Sequence, residues 1–244
     1  MKRREFLQGV LSLGAATLLP GSVPLSAAVL TAPATVPVAT PSMPILEAAI
    51  GKRWDIVKQW LAIDPSLIAI REGKHNDRTL LHLAMGTAAW DETEDGLKLT
   101  QYLVEHGCDV NAKDHFGATP LLFANSLYTN TKIIKYLVAH GAEVNVMTKW
   151  FRKTPLYYAI TVRDDFENIK FLVSHGADVN EKYSGGATPL HFATHFLGAN
   201  VEFVKYLVSQ GADVHTKNDN GNTALDQAKK RGHTAIVEYL ASVT

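Results

Sequence analysis

A single cysteine, Cys108, is all the thiol that this chain of 244 residues carries, so neither an intramolecular disulfide nor a CxxC metal or redox pair can form. The fold must therefore stand on packing. Excess charge is missing as well. Lys and Arg number 24 against 24 Asp and Glu, without the basic surplus that holds a polyanion at physiological salt, and nucleic acid is not an expected partner. HExxH, GxSxG, GxGxxG and Walker sequences are all absent, which removes the ordinary short signatures of zinc hydrolysis, acyl transfer and phosphate binding. No catalytic residue, cofactor or metal is expected. Long hydrophobic runs are lacking too: Gly9 to Leu19 gives 11 apolar or small residues before Pro20, short of the roughly 20 that span a bilayer. What remains, 46% apolar and 20% charged, is the composition of an ordinary foldable protein.

Charge is absent in one further place. From Phe6 to Leu46 there is no Asp, Glu, Lys or Arg, directly after Met1-Lys2-Arg3-Arg4-Glu5. The basic start, the apolar run and the small residues of Ser26-Ala27-Ala28 predict a signal over residues 1–28, cleaved after Ala28. Arg3, Arg4, Phe6 and Leu7 resemble the twin-arginine consensus RRxFL, with Lys2 and Gln8 in its flanking places. That resemblance implies bacterial export of the folded chain to the periplasm or beyond, with a general secretory signal or an uncleaved anchor as alternatives; no stable span is expected once the signal is gone. Residues 29–42 repeat Pro with Ala, Val and Thr without a period, which predicts an extended tether rather than packed structure.

The rest of the chain repeats itself. Thr79-Leu-Leu-His-Leu-Ala84, Thr119-Pro-Leu-Leu-Phe-Ala124, Thr154-Pro-Leu-Tyr-Tyr-Ala159, Thr188-Pro-Leu-His-Phe-Ala193 and Thr223-Ala-Leu-Asp-Gln-Ala228 follow one another at intervals of 40, 35, 34 and 35. In phase with them run His106-Gly-Cys-Asp-Val-Asn111, His140-Gly-Ala-Glu-Val-Asn145, His175-Gly-Ala-Asp-Val-Asn180 and Gln210-Gly-Ala-Asp-Val-His215. Two anchors on one beat resemble the ankyrin repeat, TPLHxA followed by GADVN, over residues 43–244. The resemblance implies an all-α solenoid of about six stacked helix-turn-helix units with short β-hairpin fingers, at approximately 43–76, 77–114, 115–148, 149–183, 184–218 and 219–244.

Each repeated residue has a physical purpose. Thr119, Thr154 and Thr188 are placed to cap a first helix with their hydroxyls, while Pro120, Pro155 and Pro189 fit its first turn, where a backbone N–H has no intrahelical partner. Gly107, Gly141, Gly176 and Gly211 can take the left-handed conformation that closes a second helix. One unit cannot bury its own apolar face, so neighbours supply the core and the end units serve as caps. Unit two is about six residues longer than its neighbours around the acidic run from Trp90 to Gly96, read as a solvated loop because it lacks the DxDxDG order of a calcium site.

Ten histidines invite a metal reading. His106, His140 and His175 recur once per unit, yet stacked helices lie about 8–10 Å apart, too far for three side chains to meet at one zinc. A role at the helix C-termini is expected instead. His82 and His191 fill the His of TPLH, which the resemblance assigns to hydrogen bonds between units. Cys108 reads as a small buried residue. The remaining signal is aromatic and basic: His115, Phe116, Lys149, Trp150, Phe151, Arg152, Lys153 and Tyr183 on the fingers, with Leu127, Val162, Arg163, His195 and Phe196 beside them on the first helices. Trp, Tyr and Arg are enriched where interfaces concentrate their energy. These residues either meet a protein partner or pack on adjacent fingers. The expected function is a non-catalytic protein-protein interaction module, monomeric alone. It would serve as a periplasmic immunity or protective factor for a toxin or partner enzyme, or as a secreted effector; an enzyme or ligand-binding protein is the rival class.

Overall fold

The computed structural model describes residues 40–244 apart from 74–75, 89–93, 127–130, 151, 164 and 196–199, and the side chains of these residues apart from 87, 88, 94, 162 and 163. The signal, all but the last residues of the tether, Leu127, Phe151, Phe196 and the start of the acidic run of unit two lie outside the described residues.

Helices follow one another in pairs. α1 (Ile45–Ile50) and α2 (Trp54–Ile63) open the array, and α3 (Leu80–Ala88) with α4 (Glu94–Glu105), α5 (Pro120–Ser126) with α6 (Thr131–Ala139), and α7 (Pro155–Tyr158) with α8 (Phe166–Ser174) continue it. α9 (Pro189–Ala193) with α10 (Val201–Ser209) and α11 (Ala224–Arg231) with α12 (Thr234–Val243) complete it. First helices pack on first helices, α1 on α3, α3 on α5, α5 on α7 and α9 on α11, while α4 meets α6 and α10 meets α12 in a second layer. Between the layers, Leu81, Leu103, Ile133, Leu137, Leu172 and Phe203 are fully buried.

The repeated residues explain these boundaries. Thr154 accepts the Tyr157 N–H at 3.2 Å and Thr223 that of Asp226 at 3.2 Å, which caps α7 and α11. Where the motif carries His, the ring completes the cap. Nδ1 of His82 and of His191 accepts the backbone N–H of Thr79 and Thr188 at 3.2 Å, and Nε2 faces the carbonyls of Ala118 and Asn222 in the next unit at 3.0 Å. That geometry fixes the Nε2–H tautomer, and burial holds both imidazoles below their usual range. The helices α4, α6, α8 and α10 end on Gly107, Gly141, Gly176 and Gly211, with φ of 93°, 87°, 88° and 88°.

The asparagines of GADVN tie one unit to the next. Asn111 donates to Gly141 O at 2.8 Å and accepts from the Glu143 N–H at 2.8 Å. Asn145 repeats this with Gly176 and Asp178, and Asn180 with Gly211 and Asp213.

Among the described residues no strand forms, so the expected hairpin fingers are tight turns. Asp114 donates its N–H to Ala118 O, Tyr183 to Ala187 O and Asn218 to Asn222 O, each at 2.9 Å. Three pairs of successive fingers meet through single backbone bonds, His115 N–H to Asn76 O, Lys149 N–H to Phe116 O and Asp219 N–H to Gly185 O, again at 2.9 Å. One bond per junction is too few to make a ladder, and the one isolated bridge among these residues joins Arg71 to Thr79.

Unit two spends part of its insertion on helix. α3 has 9 residues and α4 12, where α5 has 7 and α6 9. In unit four α7 passes into a π turn, Ala159–Arg163, in which the Thr161 hydroxyl donates to Tyr157 O at 2.8 Å.

Candidate partner-binding surface

Two neighbouring fingers bring the site together. Phe116 stands at the tip of one and Trp150 at the tip of the next, their rings edge to face with centroids 5.5 Å apart. His115 meets the same indole at 6.4 Å. Such a pair contributes about 0.5–1.5 kcal/mol beyond area burial, yet Trp150 stays 66% exposed and Phe116 39%. Packing on the adjacent finger therefore leaves most of the indole in water.

Below the two tips lies a cleft of about 230 Å3, walled by Phe116 and Trp150 and floored by Ala118, Leu122, Phe123 and Tyr158. Ala118, Leu122 and Val146 form a small buried cluster of their own, with Phe123 and Tyr158 packed against it. The finger turns hold the walls in place. Asp114 Oδ1 accepts the backbone N–H of Phe116 at 2.9 Å and of Ala118 at 2.8 Å, and the Thr148 hydroxyl accepts that of Lys153 at 3.1 Å. Lys149 reaches back to donate to His115 O at 3.1 Å. Its Cγ lies 3.1 Å from the place a Cβ would take at Gly117, so the two fingers touch and a side chain there would have to displace that lysine.

Basic residues cluster on the finger that carries Trp150. Lys149 and Arg152 are exposed on the Trp150 finger, Arg152 pairing with Glu181 at 3.6 Å. The Lys153 ammonium sits over the rings of Tyr157 and Tyr158, 5.2 Å and 5.4 Å from their centroids, and burial raises the Tyr158 hydroxyl above its usual range. Arg152 has φ of 47°.

Tyr183 is a correction. Expected on the exposed finger surface, it is only 4% exposed, with its hydroxyl 3.0 Å from that of Thr154 and its ring 5.1 Å from Tyr157. The reason is register: Tyr183 stands five residues before Thr188, as Asp114 stands before Thr119 and Asn218 before Thr223. That place anchors the finger and points inward. Burial accordingly pushes the phenol up. His195 is exposed but in contact with the Arg231 guanidinium; burial first, and then that charge, lower its pKa. Only the backbone of Val162 and Arg163, in the π turn, is described.

Phe123 and Tyr158, the floor of the cleft, escape a reading made along the sequence. Both occupy the fifth place of the TPLHxA motif, where the other units carry Leu83, Phe192 and Gln227, and that aligned stripe is the signal that locates them.

The tempting chemistry is used structurally. His106, His140 and His175 direct Nδ1 at the carbonyls of Tyr102, Tyr136 and Phe171 at 2.7 Å, 2.8 Å and 2.8 Å, their rings against the same aromatic side chains. Among the described residues no group of three or more His, Cys, Asp or Glu side chains gathers as a metal site, and no helix is long and apolar enough to cross a membrane. Cys108 is buried with Sγ 3.7 Å from Ile68 O, and burial pushes its thiol up to about 12, which keeps it protonated and unreactive at neutral pH.

A family model described as ankyrin repeats matches three times, over residues 45–148, 87–183 and 181–243. The chain belongs to the ankyrin-repeat family, whose repeats are generally protein-protein interaction modules and typically non-catalytic. No curated protein matches it.

Proposed function

We propose that this chain is a non-catalytic interaction module, a six-unit solenoid that binds a partner protein through its fingers and adjoining first-helix edges, centred on Trp150. One observation carries the reading. An indole held by its neighbours yet 66% exposed stands over an apolar cleft, and a rigid aromatic of this kind removes a large area from water while ordering few torsions. Tyr183 is left out of the surface because it is buried; His115, Phe116, Lys149, Arg152 and Lys153 remain in it. Export rests on Arg3, Arg4, Phe6 and Leu7, which resemble a twin-arginine signal, and places the module in the periplasm or outside the cell.

Capture from periplasmic extract on the immobilised protein tests the binding role. The wild type is expected to retain a partner that Trp150→Ala retains about thirtyfold less well, the equivalent of about 2 kcal/mol at a central aromatic anchor. Equal retention by both, with a melting temperature lowered in the variant, would make Trp150 a packing residue and overturn the surface. Cell fractionation tests export: protein found in the cytoplasm with Arg3 and Arg4 intact overturns that half.

A further inference from the structure

We infer that the cleft between Phe116 and Trp150 receives one apolar side chain from an extended acidic segment of the partner. This rests on the binding surface proposed above and names the chemistry of what fits it.

Size comes first. At about 230 Å3 the cleft is smaller than the roughly 300–1,000 Å3 of small-molecule sites. It suits a single aliphatic or aromatic side chain, and the apolar floor of Ala118, Leu122 and Phe123 offers that side chain burial.

Charge sets the remainder. Lys149, Arg152 and Lys153 come from the finger that carries Trp150, and the fingers before and after it expose Lys113 and Lys182. Two carboxylates lie beside these five cations, and one of them, Asp114, lines the cleft itself. Asp114 Oδ1 takes two backbone N–H groups, and Glu181 faces Arg152. The field at the opening is thus positive, which steers and favours an acidic partner. An aromatic cleft can also hold an organic cation, but here Lys153 already lies over Tyr157 and Tyr158, so the protein supplies that cation itself.

Donors point the same way. The Trp150 indole N–H has no acceptor among the described residues, and the Lys149 ammonium, with three protons to give, spends one on His115 O. Arg152 is the most telling. Its place, two residues before the capping Thr, is glycine in three other fingers, Gly117, Gly186 and Gly221, with φ of 77°, 66° and 75°. Asp77 holds the same place before Thr79 with φ of 55° and pairs with Arg71, so a non-glycine residue here bears a conformational cost for what its side chain contacts.

Three capped hexapeptides titrated into the isotope-labelled full chain test the inference: acidic with two central leucines, basic with the same leucines, and acidic with two central serines. The acidic leucine peptide is expected to shift the Trp150 indole resonance saturably, with a roughly tenfold loss of affinity in Lys149→Glu and further weakening as salt rises. Arg152→Gly, which relieves the backbone, is expected to weaken the same titration while the protein stays folded. An equal or larger response to the basic peptide, or to the serine peptide, overturns the acidic apolar occupant and leaves the finger surface standing. No response to any of the three up to about 10 mM, above the millimolar dissociation constant expected of so short a segment, overturns both readings.

Discussion

Arg152 concentrates the conflict between stability and use. With φ of 47° it bears the left-handed strain of an L-residue, about 1–2 kcal/mol, partly offset because glycine would cost roughly 0.4–1 kcal/mol in unfolded-chain entropy. The pair with Glu181 is long, at 3.6 Å, and its arginine is exposed, so it adds little. Arg152→Gly is therefore expected to stabilise the fold by about 0.5–1 kcal/mol, read as a higher urea midpoint with unchanged slope; a lower midpoint would show that the Glu181 pair outweighs the strain. At this scale the sequence was legible where a residue type has one use. The capping threonines and the closing glycines stand where the motif puts them. Tyr183 was not legible by type, because a tyrosine near a finger tip suits both an exposed anchor and a buried one. Counting back five residues from Thr188 decides between them.

Units three and four meet through a fully buried pair of amide side chains. Asn168 on α8 donates to Asn125 Oδ1 on α5 at 2.9 Å, and Asn125 donates to Leu121 O at 2.9 Å. Both side chains are fully buried, and Asn168 Oδ1 has no partner among the described residues. In the adjoining units the equivalent places are apolar, Ile133 on α6 for Asn168 and Ile160 in the π turn for Asn125, both buried, whereas unit five has the buried Thr194 in the place of Asn125. Asn168→Leu alone strands the Asn125 carbonyl oxygen and is expected to cost about 1–3 kcal/mol, whereas adding Asn125→Leu removes both polar groups and should return stability to at least the starting value. Chemical denaturation of the two single variants and the double variant measures it; additive losses would mean that the pair is not coupled. Helix pairing could be read from the repeats, since Thr-Pro starts and Gly ends are local signals. Strands in the fingers could not, because one backbone bond per junction leaves no ladder to assign. The division of the insertion between α3 and α4 was equally hidden, as composition does not say how far a helix runs.

Neighbouring units pack on one another, and two of their junctions hold a buried histidine that responds to pH. His82 and His191 are neutral and buried between units, with pKa values held down by burial. Because the folded pKa lies below the unfolded value of about 6.5, the unfolded chain binds more protons once pH drops under that value. Stability is then fully present above about pH 6.5 and falls with pH until the depressed folded values are reached, at no more than about 1.4 kcal/mol per pH unit for each histidine. Thermal melts between pH 7.5 and about 5 should show this slope, and His82→Ala, less stable at neutral pH, should show a shallower one. A profile of unchanged slope in that variant would assign the effect elsewhere. The cleft belongs to this scale as well. Phe116, Trp150 and Tyr158 become neighbours only through the register of two units, so no single stretch of sequence announces it, although the aromatic fifth place of the motif carried the hint.

The asparagine rungs have a further consequence for amide hydrogen exchange. Glu143, Asp178 and Asp213 are exposed residues, and their amides would exchange quickly if the backbone around them were the only protection. Each instead donates to an asparagine of the preceding unit, so its hydrogen is released only when two adjacent units part. Protection at Glu143, Asp178 and Asp213 thus reports, junction by junction, how often the array opens between neighbours while each unit stays folded.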